Sequence, residues 1–342
     1  MNLLTISVVI PCRNEIAYIE ECIRAVFAST LEQSIKLSVF VVDGMSDDGT
    51  REKIGLLKHE FQQLFIVDNP NQLTPFAFNL GIRAHDFDFV QIIGARHIIS
   101  KSYIQKCFNI LQNDPSIYCV GGAVQNHYLN ETGKLIAMAM STSLGMGLGN
   151  FRTKMESGFV DTVGTPMYPK KVFEEVGYFD EELIRNQDDE FNFRVTKVGG
   201  KIFFEASIFL KYYVRGSFQN LWKQFYQYGY WKVYVNQKHK AVTTYRQLVP
   251  PAFVAYLLLT CLSFVFGLKI GGLFMLPIVL YLTLAAYVAM DLKSKDAKVS
   301  FFALFQTFPI LHISYGLGYL KGIWDFMLLS KKPSENQKTL SR

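Results

Sequence analysis

Three consecutive carboxylates, Asp188, Asp189 and Glu190, stand in the run Asn186-Gln187-Asp188-Asp189-Glu190-Phe191-Asn192-Phe193-Arg194, among apolar residues that otherwise read as core. Acids so placed have two uses. They can complement the positive end of a helix, with Asn186 as its N-cap, or they can act as a general base and its electrostatic partners. Arg194 follows Glu190 by one helical turn, a spacing that suits either an arginine holding an acid in place or a surface ion pair.

Two more constellations carry chemistry. Val8-Val9-Ile10-Pro11-Cys12-Arg13-Asn14-Glu15 reads as a strand entering a Pro turn and then a helix. Val41-Val42-Asp43-Gly44-Met45-Ser46-Asp47-Asp48-Gly49-Thr50 reads as a strand entering an acidic, Gly-containing turn. Singly, such residues are ordinary turn and N-cap types. At the ends of neighbouring parallel strands they form one ligand-facing edge, on which Asp43 can accept a hydrogen bond from a base N–H. Neither a G-x-G-x-x-G run nor a Walker A run occurs, which disfavours a dinucleotide or ATP-hydrolysing site.

The elements that position these residues alternate. Strands are expected at 6–11, 37–42, 64–67, 87–93 and 118–124, and helices at 15–28, 48–59, 75–84 and 101–112. Strands apolar on both faces and separated by helices make an α/β architecture, a mostly parallel sheet with helices on both faces. Its ligand lies beyond the carboxyl ends of the strands, at 11–15, 43–50 and 94–97. Gly145, Gly147 and Gly149 alternate with Met146 and Leu148, either a mobile loop or a tight backbone packing site. Strands at 160–163, 201–206 and 209–214 and a helix at 170–176 are expected to close the same domain.

The chain of 342 residues is half hydrophobic, and the apolar excess follows Pro250. Segments 252–268, 270–290 and 299–320 read as membrane helices. Lys269, Gly271 and Gly272 leave a tight turn between the first two. Lys238, Lys240 and Arg246 before this hairpin, and Lys293, Lys295 and Lys298 after it, put both its ends in the cytoplasm. The third segment, with Pro309, His312 and three glycines, is either a full span or a kinked, re-entrant helix that returns the polar tail 331–342. Before them, Phe218, Leu221, Trp222, Phe225 and Tyr228 recur at helical spacing and lead to Tyr230, Trp231 and Tyr234, which reads as an interfacial helix in the headgroup region rather than a core stripe. A net charge of +6 fits anionic headgroups or a phosphorylated substrate better than nucleic acid. Five cysteines without a C-x-x-C pair indicate a reducing compartment and no zinc site. The run 3–10 lacks a basic n-region and a cleavage site, and is a first strand rather than a secretory signal.

As a set, these motifs resemble those of inverting family 2 glycosyltransferases with the GT-A fold, in the ExoA-like, membrane-associated bacterial polysaccharide subgroup. The resemblance rests on Pro11-Cys12-Arg13-Asn14-Glu15, on Asp43 through Thr50, on Asn69-Pro70 with Asn79 and Gly81, on Phe159-Val160-Asp161-Thr162-Val163, on Gly177-Tyr178-Phe179-Asp180-Glu181, on the acidic run, and on residues 224–232. It covers 5–245 and implies a GT-A domain over 1–215, with a nucleotide-binding half 1–126 and an acceptor-binding half 127–215. The interfacial region 216–249 and membrane helices within 250–330 follow. It further implies a UDP- or GDP-sugar donor held by Pro11, Arg13, Glu15 and Asp43, with Gly94 and Arg96 at the end of the fourth strand. Asp188 becomes the general base that takes the proton of the acceptor hydroxyl, with Asp189 beside it, and Glu190, Arg194 and Arg215 fall on the acceptor or diphosphate side. The acceptor is a lipid-linked sugar or growing polysaccharide, at the cytoplasmic face of the inner membrane.

One departure bears on the cofactor. Where family members carry a D-x-D for a divalent ion, Mg²⁺ or Mn²⁺, this chain reads Gly94-Ala95-Arg96. Either Arg96, with His97 or Arg215, neutralises the leaving diphosphate, or the chain is a silent scaffold of a polysaccharide assembly complex; no organic cofactor is implied. The intact acidic run favours a transferase. A polyprenyl-phosphate sugar synthase is the alternative enzyme.

Overall fold

The computed structural model describes residues 3–147, 152–243, 245–267, 272 and 274–333. The chain divides into two compact units, one made of Met1–Gln125 with Lys154–Tyr213, the other of Asn126–Thr153 with Val214–Arg342.

The first unit is built on a sheet. Its strands are β1 (Leu4–Cys12), β2 (Ile35–Asp43), β3 (Leu64–Asp68), β4 (Phe89–Ile92), β5 (His97–Ile99), β6 (Ile117–His127), β7 (Gly158–Phe159), β8 (Gly164–Pro169) and β9 (Lys201–Tyr213). They lie in the order β3-β2-β1-β4-β8-β6-β9-β5, with β7 on β9. β3, β2, β1 and β4 are mutually parallel, in a register that sets Pro11 beside Val42 and Cys12 beside Asp43. Val8, Val9, Ile10, Val39, Val41 and Val42 are fully buried, as a strand apolar on both faces requires. The covering helices α1 (Ile19–Phe27), α2 (Thr50–Glu60), α3 (Thr74–Arg83) and α4 (Tyr103–Asn113) fall close to their expected places.

The second half of the sheet departs from the parallel pattern. β8 runs antiparallel to β4 and to β6, and β5 antiparallel to β9, so the sheet is mixed. The strand expected at 160–163 lies instead at Gly164–Pro169, and those expected at 201–206 and 209–214 are one continuous β9. Local apolar pattern marks a strand without marking its direction.

The second unit is helical, with α5 (Glu131–Met140), α6 (Ser143–Met146), α9 (Phe218–His239), α10 (Val249–Val265), α11 (Met275–Lys295) and α12 (Phe301–Gly322); α7 (Lys170–Val176) and α8 (Gln187–Lys197) belong to the sheet unit. α9 packs along α12. Tyr230 and Trp231, expected at a headgroup surface, are fully buried here; an aromatic stripe has the same period whether it meets lipid or another helix. Tyr245–Val265 and Met275–Lys295 are long and apolar enough to cross a membrane. α12 is helical throughout despite Pro309 and turns Leu304, Phe308, Leu311 and Tyr319 inward. At Gly145 tight packing is the outcome, since a Cβ there would lie 2.1 Å from the Ala139 carbonyl oxygen. The rest of that glycine run at 148–151, the turn at Lys269 and Gly271, and the tail from 334 onward lie outside the described residues.

Candidate active site

The carboxyl ends of β1 and β2 enter loops zipped together by side chains. Asn14 and Met45 both take left-handed backbone, φ 53° and 59°, which asparagine tolerates well. The Asn14 amide donates to Asp47 Oδ1 at 2.7 Å and its Oδ1 accepts from the Asp47 N–H at 3.0 Å. The Asn14 N–H donates to Ser46 Oγ, and the Glu15 N–H to Thr50 Oγ1, both at 2.9 Å. Asp43 is fully buried, accepting from the Ser46 N–H and hydroxyl and from Arg51 Nη1 at 3.2 Å. Arg51 also reaches Asp68 at 2.7 Å. The Arg13 stem packs where a Cβ at Gly44 would stand, 3.1 Å away. Pro11, Arg13, Glu15 and Asp43 thus share one edge.

Arg96 joins them from the end of β4. Its Nε donates to Glu15 Oε2 at 2.8 Å, the two side chains being 19 % and 14 % exposed, and its guanidinium lies over the Tyr18 ring, 4.6 Å from the centroid. Burial pulls its pKa down, but the Glu15 charge and hydrogen bond outweigh this and hold it above the ordinary value. The Gly94 N–H donates to His97 Nδ1 at 3.2 Å, and Thr165 Oγ1 lies 2.7 Å from the same nitrogen. Thr165 has φ 51°, a rare conformation for a β-branched residue. Its carbonyl accepts from Gln91 at 2.7 Å and from the Tyr103 hydroxyl at 3.0 Å. Neither strand β5 nor the left-handed backbone at Thr165 follows from the sequence pattern, because a left-handed threonine leaves no local trace in sequence.

The acidic run opens α8. Asn186 occupies the N-cap position in left-handed conformation, φ 61°, and its side chain makes no capping hydrogen bond. The three acids then separate. Glu190 is buried, 3 % exposed, and grips Arg194 by both oxygens, Oε1 to Nε at 2.7 Å and Oε2 to Nη2 at 2.9 Å. Asp189 is half-buried and Asp188 exposed. Gln187 Oε1 is buried without a hydrogen-bond partner. Beneath them Phe191 stacks on Phe179, centroids 4.3 Å apart, and Asn192 accepts from the Tyr168 hydroxyl at 3.0 Å. Arg215 belongs to the helical unit, where its Nε is buried without a partner.

The glycosyl transferase family 2 model matches residues 7–177, half of the chain, spanning the β1, β2 and β4 ends. The chain belongs to glycosyl transferase family 2. Among relatives of this transferase, the Methanococcus voltae dolichyl N-acetyl-alpha-D-glucosaminyl phosphate 3-beta-D-2,3-diacetamido-2,3-dideoxy-beta-D-glucuronosyltransferase is 32% identical over 231 residues, 66% of this chain and 71% of that one. The succinoglycan biosynthesis protein ExoA of Rhizobium meliloti is 27% identical over 248 residues, 72% and 74% of the two chains. In fold, the transferase is similar to a Pyrobaculum calidifontis mannosyltransferase solved with GDP-Man and Mn²⁺, with TM-score 0.58, 16% identity, and coverage of 93% and 87%.

A divalent ion in this family transferase would need hard oxygen ligands. The position after β4 supplies Gly94, Ala95 and Arg96, and Glu15, which reaches this position, is paired with that arginine. Asp86 is paired with Lys170 at 2.6 Å and Asp88 accepts from the Thr5 N–H at 2.7 Å, both before β4 rather than beyond it. Among the described residues no cluster of three or more His, Cys, Asp or Glu could hold a metal ion. The residues at the position after β4 do not fit one.

Proposed function

We propose that this transferase moves a sugar from a nucleotide diphosphate donor to a lipid-linked or polysaccharide acceptor, inverting the anomeric carbon, with Asp188 as general base. The separation of the three acids on α8 carries this reading. Glu190 is buried in its pair with Arg194, whereas Asp188 stands exposed in the first turn, where a substrate can reach it. Gln187 Oε1 supports it, since a buried acceptor without a partner is the atom that a sugar hydroxyl would satisfy. Asp188 takes the acceptor hydroxyl proton as that oxygen bonds to the anomeric carbon, and the bond to the diphosphate breaks with its electron pair going to the leaving oxygen.

The edge formed by Pro11, Arg13, Glu15 and Asp43 is read as the nucleotide side. α10 and α11 are read as a membrane hairpin with Lys293, Lys295 and Lys298 on the cytoplasmic side, which keeps the enzyme at the surface where lipid-linked acceptors are found. The deciding experiment is Asp188→Asn in purified protein given UDP- and GDP-sugars and lipid-linked acceptors. Transfer should fall by about 10²–10⁴-fold with donor affinity unchanged. Retained activity, with loss in Asp189→Asn instead, would move the base by one residue; transfer to a bare polyprenyl phosphate unaffected by either would favour a polyprenyl-phosphate sugar synthase.

A further inference from the structure

Two acids at the nucleotide edge, Asp43 and Glu15, are already matched to protein cations. Asp43 is held by Arg51 at 3.2 Å and Glu15 by Arg96 at 2.8 Å. The second pair is mostly buried, and a buried ion pair returns in attraction little more than its desolvation costs. Stability alone therefore gives no reason for it.

Arg96 is fixed at two places and open at a third. Glu15 takes its Nε, and Tyr18 covers one face of the guanidinium. Its Nη1 and Nη2 hydrogen-bond to no described residue. These two groups are the planar fork that matches a pair of phosphate oxygens, and a guanidinium anchored in this way loses little freedom when it binds them.

We propose that the Glu15–Arg96 pair binds the donor diphosphate in place of a divalent cation, so that the donor binds and its diphosphate departs without a metal ion. The inference rests on the reading of the substrate as a nucleotide diphosphate sugar. Glu15 is a positioning residue and Arg96 the group that touches substrate. As the anomeric carbon–oxygen bond breaks, the electron pair moves onto the leaving oxygen of the diphosphate, and the fixed guanidinium offsets the charge that develops there.

Titration calorimetry on the full chain in detergent tests this with UDP, UMP, GDP and GMP, in excess EDTA and in Mn²⁺. The diphosphate of the preferred base should bind more tightly than its monophosphate, by the same factor in both conditions. Arg96→Ala should remove that factor, about tenfold or more, and leave the monophosphate affinity unchanged. Arg96→Lys should restore part of it, because an ammonium lacks the fork. Should Arg96→Ala fail to fold, Glu15→Gln serves, with a smaller loss confined to the diphosphate.

Diphosphate binding that appears only with Mn²⁺ would overturn the proposal and leave the donor reading standing. Equal weakening of mono- and diphosphate in Arg96→Ala would reduce Arg96 to a structural role and overturn it too. No binding of any of the four nucleotides, with or without Mn²⁺, would sink both readings together.

Discussion

Glu190 and Arg194 form a two-point ion pair across one turn of α8, and the same guanidinium donates to the carbonyls of Val176 at 2.6 Å and Tyr178 at 2.8 Å. One arginine thus closes the helix that carries Asp188 onto the loop after α7. Arg194→Ala would strand a carboxylate that is 3 % exposed. Removing one partner of a fully buried pair costs about 3–5 kcal/mol. Arg194 keeps 22 % exposure, so a loss of about 2–3 kcal/mol is expected on that scale, read by urea unfolding. Arg194→Lys should recover less than half, since an ammonium cannot replace the fork and both carbonyl contacts at once.

Asn79 makes a comparable closure from α3. Its Oδ1 accepts from the Phe179 N–H at 3.0 Å, and its Nδ2 donates to the Phe179 carbonyl at 2.9 Å and to Glu181 Oε1 at 2.8 Å. The side chain is 2 % exposed, so Asn79→Ala should cost about 2–3 kcal/mol by leaving buried backbone groups unmatched. Asn79→Asp should cost more, because it sets a second carboxylate against Glu181 and a carbonyl oxygen. Thermal unfolding near neutral pH ranks the two; the reverse order would mean that Glu181 turns away.

Much of this arrangement was legible in the sequence. The runs ending at Pro11 and Asp43 are apolar on both faces, which leaves a covered parallel strand as their natural form, and the polar residues that follow had to lie at its carboxyl end. Glu190 and Arg194 carried their pairing in their spacing. The sequence did not carry strand direction: β8 joins the sheet antiparallel beside β4 through contacts some eighty residues apart. Nor did it show which surface Tyr230 would meet, because its partner Phe326 lies in the π-helical segment Ile323–Leu328 after α12, far along the chain. Periodicity reports a buried face, whereas the occupant of that face is a tertiary fact.

Asp48 couples the two nucleotide-edge loops in a pH-dependent way. Its Oδ1 accepts from the Thr50 N–H at 3.0 Å and hydroxyl at 2.5 Å, and its Oδ2 from the Ile16 N–H at 3.3 Å. Burial pushes its carboxyl up, but these hydrogen bonds outweigh it and hold the group below its usual range. A carboxylate depressed on folding adds stability above its unfolded pKa of about 3.9 and loses it as pH falls through the lower folded value. Asp48→Asn should therefore destabilise the protein by roughly 1–2 kcal/mol at about pH 7, a gap that shrinks toward about pH 3. Urea unfolding at both pH values checks this; a constant gap would show that the charge contributes nothing.

Three helical glycines, one in open space and two against backbone, give a test of packing. Gly55 lies within α2, where an added Cβ would meet nothing within 4 Å. Gly55→Ala should stabilise by about 0.5–1 kcal/mol, because alanine restricts the unfolded chain and suits a helix. Gly229 lies within α9, where a Cβ would stand 2.0 Å from the Tyr315 carbonyl oxygen of α12, and Gly318 answers it from α12, 2.0 Å from the Tyr226 carbonyl oxygen. The neighbour in each case is backbone, so a methyl can be admitted only by forcing the helices apart. The same propensity gain then stands against an overpacking cost of about 1–3 kcal/mol or more, and Gly229→Ala and Gly318→Ala should both lower the melting temperature in detergent. Each alone spreads the same pair of helices, so the double variant should cost less than the sum of the two. Additive losses would mean that each contact relaxes on its own, and that α9 and α12 do not move as rigid bodies.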